Sequence, residues 1–517
     1  MPTRILVVRI SCLWRIGVII FRLQNAQNMC LQLVSLVLEK GVTTCKIRIQ
    51  MNSSNLLAWL NFFVADVRDG LGPFLGVFLL QNGFGESQVG LIGGISHIIA
   101  LSLGIPCGIL VDKTTRKKEC IALFIALIIV FCSLNYLFPS FIFTLIAQGL
   151  VALSGVFLAP AFAALTLGIV GVRDYPLQTA KNEAYKHAGT AFGAALSFCL
   201  ALYFGIASVF VITATLGGIS LVVLALIKRE SIDDFTARGE IHAKSHSDFN
   251  AKFSTKMSEN LAQKGAKRTS LSALFTDKRV LFLSIIMFCF HLSNAAMLPL
   301  LSQRAQRLGI DSSGAYAAAT ILIAQSTMIF VAFMCGRLLR RLHSCKAESS
   351  NVQNVASANL APNVAQDFAN NRPKSIDSTT NLALNSEFKL YFWLFFACFF
   401  ALIIRGGVAA HFDSIGAMIV VQVLDGVGAG VSGVVLPVIV AFSLRGSGHI
   451  NAGLAFVLTC GGLGGALSNG IGGYFAQYYG YFSAYIFLGA VALCGLMLWC
   501  IGAKRIFGRV RSFCRAF

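Results

Sequence analysis

The chain has 517 residues, 56% hydrophobic and 12% charged, with a formal net charge of +20 and a mean hydropathy of +0.74. Soluble domains carry about 25% charged residues, so this composition excludes a water-covered globular surface of matching size. The 15 cysteines form no C-x-x-C pair and most lie in apolar runs, which excludes a disulfide framework or cysteine zinc site and leaves them as small packing residues.

In chain order, residues 1–54 come first as a basic extension. Arg4, Arg9, Arg15 and Arg22 interrupt every apolar run, so none reaches the ~20 residues of a membrane span. The segment reads either as a basic interfacial helix or, the reading favoured here, as sequence upstream of a true start at Met51. No small-residue cleavage site marks a signal peptide. After it, three stretches contain no Asp, Glu, Lys or Arg: Cys120–Val172, Ala188–Ile227 and Gly446–Ala503. A helix as long as the first would measure roughly 80 Å against a hydrocarbon core of ~30 Å. Each stretch is therefore two spans, with breaks at Pro139-Ser140, Phe204-Gly205 and Tyr478-Tyr479-Gly480.

The predicted spans are 56–80, 88–111, 120–138, 141–168, 188–204, 206–227, 280–301, 314–336, 390–404, 414–441, 451–475 and 481–503. These twelve give an all-α integral membrane protein of two six-helix bundles, 55–227 and 280–503. With a cytoplasmic N-terminus, 38 of the 42 Lys and Arg residues fall on cytoplasmic segments, as the positive-inside rule requires. Arg304, Arg307 and Arg405 fall on the other side and Arg68 lies within span one. The basic charge is thus a topology signal and not a nucleic-acid footprint. The central loop 228–279 reads as a linker; its His242-x-x-x-His246 has metal-pair spacing but no third ligand, so no metal is expected. Loop 345–388 is rich in Asn, Ser and Ala and is expected to be disordered. Residues 504–517 form a basic cytoplasmic tail.

The two bundles repeat one another. Span four reads Gln148-Gly149-LVALSGVFLA-Pro160 and span ten Asp425-Gly426-VGAGVSGVVL-Pro437. Gly193-AAL-Ser197 in span five matches Gly464-GAL-Ser468 in span eleven. Gly70-LG-Pro73 in span one parallels Ala296-ML-Pro299 in span seven. In-order matches of this kind point to duplication, a common transporter feature.

After span two, Gly108-ILV-Asp112-Lys113-TT-Arg116-Lys117 resembles the G-x-x-x-D-R/K-x-G-R-R/K signature of the major facilitator superfamily, with Thr115 where the family has Gly. Gly336-RLL-Arg340-Arg341 after span eight keeps the glycine and bases and lacks the acid. The resemblance covers roughly 51–510. It implies an alternating-access carrier in which Asp112 caps a neighbouring helix and pairs with bases, closing the cytoplasmic side. The Gly-Pro signature of drug/proton antiporters is missing from span five.

Charges at bilayer depth cost ~2.5–3.5 kcal/mol each, so they are the candidate transport residues. Asp66, Arg68 and Asp69 cluster in span one beside the kink expected at Pro73, and one of the carboxylates could exchange a proton. A structural ion pair to another helix is the alternative. Asp425 and His97 join them as proton-coupling candidates, while Gln148, His291, Asn294, Gln325 and Gln422 are candidate solute ligands or interhelical glue. Glu183, Lys186 and His187, spaced i, i+3, i+4, are expected at the cytoplasmic entrance to span five, as a gate salt bridge or a solvated helix end. Together with Gly108, Asp112, Lys113, Arg116 and Lys117 they make the expected gate.

There is no G-x-x-x-x-G-K-[ST] loop, no H-E-x-x-H and no convincing nucleophile–base pair, so neither an ATP-driven pump nor an enzyme is expected. The reading is a proton-coupled carrier of a small organic solute. It is expected to be monomeric, without cofactor, in a bacterial inner membrane with both termini cytoplasmic. Export of amphipathic compounds and a transport-fold sensor or scaffold are the rivals.

Overall fold

The computed structural model describes residues 52–68, 73–240, 271–309, 315–358 and 375–507. Contacts divide the chain into two compact units, Met1–Asn52 and Ser53–Phe517, and the second holds everything below. The readings made for residues 1–51, for His242 and His246, and for the tail beyond 507 lie outside the described residues.

The helices are α1 (Ser53–Arg68), α2 (Pro73–Gln81), α3 (Glu86–Lys113), α4 (Lys117–Leu137), α5 (Phe141–Phe204), α6 (Ala207–Leu226), α7 (Asp234–Arg238), α8 (Leu271–Leu274), α9 (Lys278–Asn294), α10 (Met297–Arg307), α11 (Ala315–Ala358), α12 (Ser375–His411), α13 (Ile415–Ser443) and α14 (Ile450–Phe507). No strand occurs among the described residues. Among the described residues, nine helical segments are long and apolar enough to cross a membrane. Two of them, α5 and α14, contain a single non-helical residue, Gly171 (φ 74°) and Gly480 (φ 82°), where only glycine takes a positive φ without strain. Each folds back on itself there: Asn182 bonds Thr166 across Gly171, and Phe475 stacks on Phe487 across Gly480 at 4.7 Å. Each therefore counts as two spans. With α1 and α2 together counted as the first span, the protein has twelve transmembrane helices in two six-helix bundles.

Residues 69–72, between α1 and α2, lie outside the described residues. In the second bundle α9 ends at Asn294 and α10 begins at Met297. The amide of Ala296, exposed by that break, donates to Ser468 Oγ of α14 at 3.0 Å. The N-termini follow local chemistry. Asp277 Oδ1 accepts from Arg279 N at 2.7 Å to start α9, and Ser414 Oγ accepts from Ala417 N at 3.2 Å to start α13.

Several expected boundaries move. Residues 169–187, expected as a loop, are helical except at Gly171. Helix stretches also occupy 345–358 and 375–388, within the expected disordered loop. The central loop begins with an ordered strap, 229–239, holding α7. Span nine runs on to His411, so Arg405 does not emerge on the far side: it is fully buried.

Large apolar side chains point away from the bundles, among them Leu202, Tyr203, Phe204 and Ile142. That girdle, unsuited to water, suits lipid. Inside, the second bundle is centred on Trp499, wholly buried, whose Nε1 donates to the Phe392 carbonyl at 3.1 Å. Here the end of the molecule carrying the basic loops is called the basic end and the opposite one the far end.

Candidate functional site: a closed basic end and a polar central cavity

At the basic end the two bundles are joined through the 108–117 segment. Asp112 is buried. Its Oδ2 accepts from Ala452 N at 2.7 Å, and its Oδ1 from Asn451 Nδ2 at 2.8 Å and Asn451 N at 3.2 Å. These amides belong to the first turn of α14, where an acid both satisfies orphan donors and meets the positive end of the helix dipole. A Cβ on Gly108 would stand 2.7 Å from the Asn451 carbonyl oxygen, so glycine there permits the contact. The turn that the family makes with glycine is made otherwise: Arg116 N donates to Thr114 Oγ1 at 3.1 Å.

The strap completes the seal. Lys117, fully buried, donates to Asp234 Oδ1 at 3.1 Å and to the Thr114 carbonyl at 2.7 Å. Arg229 reaches the other oxygen of Asp234 at 2.8 Å. Arg238 donates to the Lys113 carbonyl at 3.4 Å. Asn451 Nδ2 donates to the Ala237 carbonyl at 2.9 Å, and Gly446 N to that of Gly239 at 2.6 Å. The strap thus touches both bundles, a role that its linker-like composition did not announce.

Above the seal α3 and the first half of α14 stay close at Gly104, where a Cβ would collide with Thr459, and at Gly462, against Leu101. Toward the far end Gly90, Gly93 and Gly94 of α3 and Gly470 and Gly473 of α14 have nothing within 4 Å of an added Cβ. The helices touch over their basic halves and part beyond.

Between the bundles lies a cavity of about 420 Å³, lined from α1, both halves of α5, α9, α11, α13 and α14. Glu183, Lys186 and His187 line it. Gly171 is the turn into this half of α5, so at 1.5 Å per residue Glu183 stands about 18 Å along the helix. These three residues are therefore in the cavity wall and not at the entrance. Helix propagation past Arg173, Asp174 and Lys181 is the reason: those charges read as a loop but sit on a helix. Lys186 Nζ donates to Glu183 Oε2, and His187 Nε2 is 3.5 Å from the same oxygen. His187 Nδ1 lies 2.8 Å from Gln325 Oε1 of α11, across the bundles. Glu183 also crosses: a Cβ on Gly433 of α13 would be 2.5 Å from its Oε2.

His291 and Asn294 line the same cavity from α9. Asn294 Oδ1 accepts from Arg405 of α12, which is 3.0 Å from Asp425 Oδ1 of α13. Asp425 therefore serves an ion pair inside the second bundle and does not line the cavity. Arg405, read from the sequence as lying beyond the end of an apolar run, is a fully buried cation of this bundle. Gln422 is fully buried and lines neither cavity; neither amide atom has a partner among the described residues. His97 and Gln148 line an adjoining cleft of about 510 Å³ between α3, α5 and α14. His97 Nδ1 donates to the Gly93 carbonyl at 2.8 Å, and Gln148 Nε2 is buried without a partner among the described residues. Cleft and cavity share Ala159 and Leu458. Of the span-one cluster, Asp66 and Arg68 lie on α1 with their side chains outside the described set, and Asp69 lies outside the described residues. No cluster of three metal-binding side chains occurs among the described residues.

The family model described as Major Facilitator Superfamily matches residues 56–347. An uncharacterized MFS-type transporter of Mycobacterium tuberculosis (strain ATCC 25618 / H37Rv) is 28% identical over 443 residues, covering 86% of this chain and 91% of the relative. Among solved structures, the MFS transporter FucP in the outward conformation aligns with a TM-score of 0.58 at 13% identity, covering 87% of this chain and 98% of FucP. A bacterial homologue of the iron transporter ferroportin in an outward-facing state also aligns with a TM-score of 0.58 at 13% identity, covering 89% and 100%. The human organic anion transporter MFSD10 aligns with a TM-score of 0.57 at 11% identity, covering 87% and 100%. The chain, a multi-pass membrane protein, belongs to the Major Facilitator Superfamily of transporters.

Proposed function

We propose that this protein is a secondary carrier that moves a small organic solute by alternating access, standing here with its cytoplasmic side closed. The observation that carries the reading is the polar cavity between the bundles, sealed at the basic end by Asp112 on the α14 N-terminus and flanked by helices that part toward the far end. The positive-inside bias makes the basic end cytoplasmic. Two structural neighbours described as outward-facing support the same orientation. Asp112, Lys117 and the strap then form the cytoplasmic gate, with Gly108 allowing its closure.

Coupling to protons belongs with Glu183 and His187 in this reading. Glu183 holds Lys186 and lies 3.5 Å from His187, which in turn contacts Gln325 across the bundles, so a proton gained or lost at the pair acts on both links. Asp425 is held by Arg405 and is a weaker candidate. The test is flux in proteoliposomes under an imposed pH gradient, comparing wild type with Glu183→Gln, Asp66→Asn and Asp69→Asn. Gradient-driven accumulation should vanish in E183Q and persist in D66N and D69N. The opposite pattern moves coupling to span one, and flux indifferent to the gradient in the wild type makes the protein a facilitator.

A further inference from the structure

An asparagine amide presents an acceptor on one side and two donors on the other, and rotating it exchanges them. At Asn294 the choice is fixed. Its neighbour is a guanidinium, which has donors and no acceptor, so the atom facing Arg405 must be Oδ1. Arg405 is in turn held from behind by Asp425 at 3.0 Å. The amide cannot turn without setting N–H against N–H. Asn294 therefore offers Nδ2 and its two protons away from Arg405, and among the described residues this nitrogen donates to no protein group. The residue lines the central cavity.

The cavity wall also holds Glu183, His187 and Gln325, and the Glu183 carboxylate is already engaged by Lys186. Lys186, from the opposite bundle, spends one of its three donors on Glu183. Val64, Phe162, Met287, Phe290 and Met328 supply the apolar part of the lining. An ammonium group placed at Asn294 would meet N–H donors backed by a buried arginine. A carboxylate there would accept charge-assisted hydrogen bonds, which are about twice as strong as neutral ones.

We infer that Arg405 and Asp425 form a device that locks Asn294 as a donor, and that the cavity accordingly takes the carboxylate of a small organic acid with an apolar body. The inference names the solute class of the carrier proposed above and rests on that reading.

The test uses purified full-length protein and two matched sets of probes: 3-phenylpropanoate, 3-phenylpropan-1-ol and 3-phenylpropylamine, and butanoate, butan-1-ol and butylamine. Binding is read from the rise in melting temperature with probe concentration. The carboxylates should bind, the alcohols more weakly, and the amines not at all. Asn294→Asp keeps the volume and hence the fold but puts an acceptor where the donor was; carboxylate affinity should fall by about tenfold or more. Removing both charges together, in Arg405→Gln with Asp425→Asn, frees the amide to turn and should bring carboxylate and alcohol affinities together. If that pair misfolds, N294D still decides. The inference is overturned by wild-type protein that prefers the amines or ignores the carboxylates, or by N294D that binds carboxylates as tightly as wild type. Carboxylate binding with no flux in proteoliposomes sinks the carrier reading and leaves this one standing. Flux of a carboxylate that N294D does not alter does the reverse.

Discussion

The bundles meet along two related seams, and duplication filled them differently. In one, α3 meets α14: Asp112 caps a helix, Gly108 allows backbone contact, and a fully buried lysine fastens the strap. In the other, α11 meets the second half of α5. There Gly336 occupies the place of Gly108, the acid is absent, and a Cβ on Gly336 would lie 3.4 Å from Ala180, an ordinary contact. The polar link in this seam sits higher, in the cavity wall, between His187 and Gln325. One seam is closed by the Asp112 side chain capping a helix end and by a buried lysine. The other is bridged by the His187–Gln325 contact in the wall of the cavity. Two copies of one fold thus hold different polar links at corresponding places.

The largest effects should come from the first seam. Gly108→Ala forces a Cβ to within 2.7 Å of the Asn451 carbonyl oxygen, overpacking that costs ~1–3 kcal/mol. Gly336→Ala should cost well under half as much, and melting temperatures in detergent compare the two directly. Equal losses would mean that the seams are not distinct. Asp112→Ala removes three accepted hydrogen bonds and a helix cap. Loss of a cap costs typically ~1 kcal/mol and charged hydrogen bonds more, so the closed basic end should weaken by about 2 kcal/mol, roughly thirtyfold in the open-to-closed ratio. A cysteine at Ala455, labelled by an impermeant thiol reagent from the basic side, should react correspondingly faster in D112A and less so in Asp112→Asn.

Next in size is the strap. Lys117→Met leaves Asp234 without its buried partner, and Asp234→Asn leaves Lys117 without its counter-charge. Each single change should destabilise by about 2 kcal/mol, less than the full cost of splitting a buried pair, because Asp234 keeps Arg229 in the first and Lys117 keeps the Thr114 carbonyl in the second. The double variant should recover about 1 kcal/mol relative to the sum, and additive losses would show that the pair is not coupled. In the second seam, His187→Gln can still bond Gln325 but carries no imidazole. Solute binding should change less than threefold while the pH dependence of flux disappears; a persisting pH dependence would place the proton-coupling residue of the proposed carrier elsewhere. The smallest effect belongs to deletion of 359–374, which contains none of the residues argued for above. Flux and stability should stay within about 0.5 kcal/mol of wild type, whereas a signalling protein would lose function.

Much of this was legible in the sequence, and the misses share a cause. Uncharged stretches and the glycines at 205 and 480 located spans, because membrane helices announce themselves by what they lack. Asp112 could be placed because its motif is short and contiguous. Arg405 and Asp425 could not be paired, since their partners are fixed by how α12 crosses α13, and Arg405 at the end of an apolar run looks like an exit from the bilayer. Glu183 was placed at an entrance because Arg173, Asp174 and Lys181 precede it. Local charge density suggested a loop, while the helix simply began at Gly171 and continued inward. Gln148 and Gln325 were readable as polar residues in apolar helices, but which of two chambers each would face depends on the packing of the bundles.

Gly171 and Gly480 each reverse the chain with one residue, and that leaves no slack. A long loop would let neighbouring spans tilt independently; a one-residue elbow makes them a braced pair. When the wall bearing Glu183 swings, the arm bearing Thr166 and Gln148 must swing with it, and at the far end the arms joined at Gly480 are tied likewise. The cavity and the cleft beside it should therefore change shape in a single stroke, and a solute in one chamber will be felt in the other without any contact between them.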